Sequence, residues 1–156
     1  MVDKIPDILN QEKPDLIFIT GDFVSFKGPY EPAMSLFQHL KPPYGVDGVL
    51  GNTEYSDEKG SCILCHEERS KILRKNQYPV FLRNSFYPLK VNGRVLNIIG
   101  VDDPVNKKSN LEAALKHINS KGASILLSHS PEIFEEASNS GIDLMLCGHT
   151  HGAKSF

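Results

Sequence analysis

The chain has 156 residues, enough for one domain with a sizeable core, and sets 17 Lys plus Arg against 19 Asp plus Glu for a formal net charge of −2. That near balance gives no basic footprint for nucleic acid or an anionic membrane surface, although bound cations could still attract a nucleotide substrate. No apolar run approaches the roughly 20 residues of a membrane helix, and the opening Met1-Val2-Asp3-Lys4-Ile5-Pro6 lacks the charged-then-apolar pattern of a secretory leader.

Taken in order, the first residues read as a helix that leads into an apolar run, Leu16-Ile17-Phe18-Ile19-Thr20, stopping at Gly21-Asp22. Glu31 to Leu40 is a helical pattern with Met34, Phe37 and Leu40 on one face. A second run, Val46 to Leu50, stops at Gly51-Asn52, and His66 to Lys75 reads as a more charged helix. Val80-Phe81-Leu82, Phe86 to Val91 and Arg94 to Val101 are three close strands, with Asn92-Gly93 a hairpin turn. Asn110 to Ile118 is a helix opened by an Asn cap, and Ser124 to Leu127 is a strand stopping at Ser128-His129. Ser130-Pro131 starts a helix to Ala137, and the last run, Ile142 to Cys147, stops at Gly148-His149-Thr150-His151. Strands alternating with helices, plus one hairpin block, imply a layered α/β fold with mixed sheets across residues 1–156 as a single domain.

In open α/β sheets ligands bind beyond the carboxyl ends of the strands. Asp22, Asn52, His129 and His149 would share that edge, and Gly21, Gly51 and Gly148 immediately precede three of them. Imidazole, carboxylate and amide oxygen suit Mn, Fe, Zn or a similar divalent ion. In a two-metal hydrolytic site one ion acidifies a water while both neutralise phosphoryl oxygens, and Asp22 is the natural carboxylate to bridge them.

Gly21-Asp22, Gly51-Asn52, His129 and Gly148-His149-Thr150-His151 resemble, in order and approximate spacing, the motifs of the calcineurin-like metallophosphoesterases. Leu82-Arg83-Asn84, Gly100-Val101-Asp102-Asp103, Ser128-His129-Ser130-Pro131-Glu132 and Gly152 are similar to a bacterial branch that includes membrane-associated phosphoesterases and lipid-A-pathway pyrophosphatases. The resemblance implies an α/β/β/α sandwich of two mixed sheets, incomplete at both ends. It also implies two divalent metal ions and attack of an activated water on a phosphoester or a nucleotide or lipid pyrophosphate. Asp22 would bridge the metals, Asn52, His129 and His149 would complete one site, and His151 would serve the other. Asn52, Glu54 and His129 would carry the catalytic roles. A cytoplasmic setting, with peripheral attachment to a membrane, is the corresponding expectation.

The chain departs from that pattern twice. No Asp-x-His precedes Asp22, which leaves Asp22 and His151 for the second metal, and the sequence ends soon after His151. A truncated or split reading frame, poorly active by itself, is the expectation. Thr53 stands where the family usually has His, with Glu54 retained. A Thr hydroxyl is no general acid near neutral pH, and a lost proton donor costs about 10²–10⁴ in rate. Anhydrides and activated diesters should therefore be favoured over alkyl monoesters, unless His66 or another side chain replaces the donor.

Other features carry blander readings. Cys62-Ile63-Leu64-Cys65-His66 has the spacing of c-type haem attachment, but a structural role is the expectation ahead of a thiol or accessory-metal role or haem c. The three cysteines, Cys62, Cys65 and Cys147, are too few for a disulfide framework and favour a reducing compartment. Cys147 reads as a small core residue, Asp102-Asp103-Pro104 as a solvated turn rather than a substrate mouth, and His39 and His117 as surface or structural residues. The alternatives to a phosphoesterase are a degenerate metal-binding or regulatory module and a haem-binding protein.

Overall fold

Strand side chains alternate between two faces, and here each face meets a different core. The computed structural model describes residues 4–25, 28–55, 62, 79–118 and 121–152. Strands β1 (Ile17–Ile19), β2 (Val46–Gly48) and β3 (Val80–Phe81) make one sheet in that order, all parallel. Strands β4 (Ser85–Val91), β5 (Arg94–Gly100), β6 (Ala123–Ser128) and β7 (Leu144–Cys147) make the other, in chain order. Its mixed character comes from the antiparallel β4–β5 hairpin beside two parallel pairings. That hairpin turns through Asn92 and Gly93, both at positive φ (49° and 76°), as a two-residue turn of this composition requires.

Phe18 of β1 packs between the sheets with Val49, Leu82, Ile98 and Leu127. Ile17 and Ile19 turn the other way, onto Met34 and Phe37 of α2 (Glu31–Gln38) and Leu9 of α1 (Ile5–Glu12). On the far side, Ile99 and Leu126 pack against Leu111 and Ala114 of α3 (Leu111–Leu115) and Ala137 of α4 (Phe134–Asn139). The layers therefore run helix, sheet, sheet, helix, and the expected α/β sandwich is the one observed. No helix among the described residues is long and apolar enough to cross a membrane.

Local signals act where they were read. The Asn110 side chain accepts the Ala113 N–H at 2.8 Å and starts α3, although the α-helix ends at Leu115 rather than Ile118. The Ser130 side chain accepts from Glu132 N–H, and the Pro131 segment is a short 3₁₀ turn before α4. The helix expected over His66–Lys75, and with it Cys65 and His66, lies outside the described residues. Cys62 is buried in the core that holds Met34 and Phe37, and it is disulfide-bonded.

Two expectations are corrected. Cys147 is exposed, because β7 is the outermost described strand of its sheet and has a neighbour on one side. Asp102 and Asp103 are buried, not solvated. The Tyr55 hydroxyl donates to Asp102 Oδ1 at 2.5 Å, and Arg83 Nε donates to Oδ2 at 2.9 Å. Asp103 accepts from the N–H groups of Val105 and Asn106 and from the Asn106 side chain. The sheets also share a part-buried polar contact: the Tyr87 hydroxyl on β4 donates to Asp47 Oδ2 on β2 at 2.5 Å.

Candidate metal centre

β1 and β2 run parallel, as do β6 and β7, so each pair brings its carboxyl ends together. The loops that leave those ends approach unusually closely. A Cβ built on Gly21 would lie 2.6 Å from Gly51 N and 2.8 Å from His129 Nδ1, and one on Gly51 would lie 2.7 Å from both Asp22 N and His129 Nδ1. Glycine is required at both positions for the loops to meet.

Asp22 after Gly21 and His149 after Gly148 are held in uncommon backbone states. Asp22 has φ 54° and His149 φ 63°, left-handed values that non-glycine residues adopt at a cost and keep only when their surroundings enforce them. Glu54 supplies that enforcement for the Asp22 turn. Its carboxylate is fully buried and accepts the backbone N–H of Asp22 at 2.8 Å, of Gly51 at 2.7 Å and of Val24 at 3.2 Å. Burial pushes the Glu54 carboxyl above the ordinary range, and these N–H bonds pull it part of the way back. Glu54 thus orients main chain, tying the loop after β1 to the 3₁₀ helix Asn52–Tyr55 after β2.

His129 sits at the centre, 1 % exposed. Its Nδ1 donates to the carbonyl of Thr20 at 2.7 Å, which leaves Nε2 as the ring's lone-pair atom in the neutral tautomer. Around Nε2 lie Asn52 Oδ1 at 3.1 Å, His149 Nδ1 at 3.0 Å and Asp22 Oδ2 at 3.3 Å. A neutral His149 with its proton on Nδ1 would donate to His129 Nε2; with that proton on the other nitrogen, the converging atoms all present lone pairs to a cation. Among the described residues, Asp22, His129 and His149 form the group of acidic and imidazole ligands able to hold a metal, with ligand atoms all within 4.8 Å of one another. The donor set fits a divalent ion of the Mn, Fe or Zn kind, and the Nδ1-to-carbonyl bond is the usual device that orients a metal-ligating imidazole.

The structure thus brings together four of the five ligands named from sequence: Asp22, Asn52, His129 and His149. His151 stands apart from the group, exposed on the turn after β7 with φ 49°. Glu54, named as catalytic, is enclosed behind Asp22 and faces backbone rather than the ligand cluster. His39 and His117 are exposed, and His39 Nδ1 lies 2.7 Å from the Ser35 carbonyl of its own helix. Sequence reasoning missed the Thr20 carbonyl, which has no side-chain signature. It also missed Thr53 as a donor: its N–H and hydroxyl reach Asp22 Oδ1 at 3.0 and 2.9 Å.

The profile of the calcineurin-like phosphoesterases matches residues 1–153. A metallophosphoesterase of Aquifex aeolicus is 32% identical over 163 residues, an alignment covering 99% of this chain and 58% of that protein. The Bacillus subtilis metallophosphoesterases YkoQ and YkuE are 28% and 27% identical, with 94% of this chain and 53% and 50% of theirs aligned. The chain spans about half the length of the curated relatives it matches.

Proposed function

The chain belongs to the calcineurin-like phosphoesterase family, and on that basis we propose that it hydrolyses phosphate esters or anhydrides with a divalent ion held by Asp22, Asn52, His129 and His149. The observation that carries this reading is the convergence on His129 Nε2 of Asn52 Oδ1, His149 Nδ1 and Asp22 Oδ2 from three separate strand ends. A divalent ion there would polarise the phosphoryl oxygens and acidify a water. The chain's own residues set the stage. Thr20 fixes the His129 tautomer, Glu54 holds the Asp22 turn, and Asn52 offers a neutral oxygen beside two imidazoles. Asp22 and the exposed His151 are the residues we assign to a second ion.

The substrate class is a small phosphoester or a nucleotide or lipid pyrophosphate. With Thr53 in place of an imidazole, we expect departure of the leaving group to go unassisted by a proton from that position, which favours acidic leaving groups. The test is calorimetric Mn²⁺ titration of the full chain beside hydrolysis assays on bis-p-nitrophenyl phosphate and glycerol phosphate. Wild type should bind Mn²⁺, His129→Ala should abolish binding, and the activated diester should be cleaved at least about 100-fold faster than the alkyl monoester. Mn²⁺ binding with no turnover of either substrate would make this chain a metal-binding module instead, and unchanged binding in His129→Ala would remove the site.

A further inference from the structure

We propose that Thr53 is a positioning residue for this metal site: it occupies one oxygen of Asp22 so that the other is presented as the ligand atom. The inference rests on the reading of the site given above and adds a role to a residue that the ligand pattern leaves out.

The two oxygens of Asp22 have different surroundings. Oδ1 accepts from Thr53 N–H at 3.0 Å and from the Thr53 hydroxyl at 2.9 Å. Oδ2 lies 3.3 Å from His129 Nε2, among the converging ligand atoms. A free carboxylate turns about its last torsion and exchanges its oxygens, because that torsion is broad and roughly two-fold. Two donors from one residue, both to a charged acceptor, remove that freedom.

Thr53 is itself well held. It occupies the second position of the 3₁₀ helix that begins at the ligand Asn52, and Glu54 at the third position ties that helix to the Asp22 and Gly51 backbone. β-Branching stiffens its χ1, so the hydroxyl stays aimed. The hydroxyl also lies 3.3 Å from Glu54 Oε1, and the shorter contact to Asp22 identifies the preferred acceptor. A chain of fixed groups therefore runs from a buried carboxylate through a 3₁₀ turn to the orientation of one ligand.

Outer-sphere partners of metal ligands typically contribute 10–100-fold to affinity. Because the Thr53 N–H survives both of these substitutions, the lower end applies: Thr53→Ala and Thr53→Val should each weaken Mn²⁺ binding roughly 10-fold. Thr53→Ser restores the hydroxyl and should lie within about 3-fold of wild type by the same reasoning. Binding is read by calorimetry and by the electron paramagnetic resonance signal of free Mn²⁺, with circular dichroism verifying that each variant is folded at the temperature used. A merely structural role would move the melting temperature and not the metal affinity, nor would it be rescued by Ser specifically. Wild-type affinity in both Ala and Val, or a Ser variant as weak as Ala, would overturn the proposal while leaving the metal site intact. Absence of His129-dependent Mn²⁺ binding in wild type would overturn the site and this role together.

Discussion

A methyl group at residue 51 has nowhere to go. Its carbon would collide with Asp22 Oδ1 and sit 2.7 Å from Asp22 N and His129 Nδ1, atoms that belong to two different loops. Both neighbours are pinned, Asp22 N by Glu54 and His129 Nδ1 by the Thr20 carbonyl, so neither can yield cheaply. Gly51→Ala should therefore lower stability by about 1–3 kcal/mol, in the range of core overpacking, and destroy Mn²⁺ binding. Chemical denaturation and calorimetry on one preparation check both outcomes; a stable variant that still binds the ion would mean the loops are looser than these distances. At this scale the sequence pointed to the residues that converge and was silent about their supports. Asp22, Asn52, His129 and His149 announce themselves as polar residues ending apolar runs. Thr53, Glu54 and the Thr20 carbonyl act through contacts between segments about 30 or more residues apart, a separation no local pattern encodes.

The elements depend on their neighbours in a similar way. β7 is kept in register with β6 by Asp143, just before its first residue. Asp143 Oδ2 accepts from Ser124 N–H and Oγ, both at 2.8 Å, while Asp143 N–H returns a bond to Ser124 Oγ at 3.0 Å. The Ser124 hydroxyl, followed by its N–H, lowers the Asp143 carboxyl below its usual range. A carboxyl whose pKa falls on folding contributes stability above the unfolded value and loses it as pH drops through the folded one. Asp143→Asn should melt below wild type near neutral pH, with the gap closing once pH falls under about 4. Melting curves across an acid pH series test this, and a gap independent of pH would assign the effect to packing rather than charge. Element type was readable from short Ile-, Leu- and Val-rich runs and from the Asn110 and Ser130 caps. Their ends were not: β2 ends at Gly48 and α3 at Leu115, short of the Leu50 and Ile118 that the apolar pattern reaches. The burial of Asp102 was equally hidden, since the Tyr55 that bonds it lies 47 residues away.

Across the whole molecule, two sheets meet through an apolar layer interrupted by the Tyr87–Asp47 contact. Burial pushes the Asp47 carboxyl up, and the bond from Tyr87 offsets part of that shift. Tyr87→Phe leaves the Asp47 carboxylate between the sheets without that donor and should cost about 1–3 kcal/mol at neutral pH. Because the folded pKa is raised, stability is lost as pH rises through it, so the penalty should shrink on acidification as Asp47 takes up a proton. Urea midpoints at neutral and mildly acidic pH check this, and an equal or larger loss in acid would contradict it. The α/β layering was foreseeable from alternation of strands and helices; which polar pair would sit between the layers was not.

The bond from His129 to the Thr20 carbonyl closes a span of 109 residues. Contacts of such high sequence separation form late, after the entropy of closing the intervening loop has been met. Neither half of the polypeptide holds the whole Asp22, His129 and His149 cluster before the halves dock. An ion available during synthesis would then slow the native state's escape more than it would hasten its arrival, since stabilising contacts absent from the folding transition state act on the rate of unfolding.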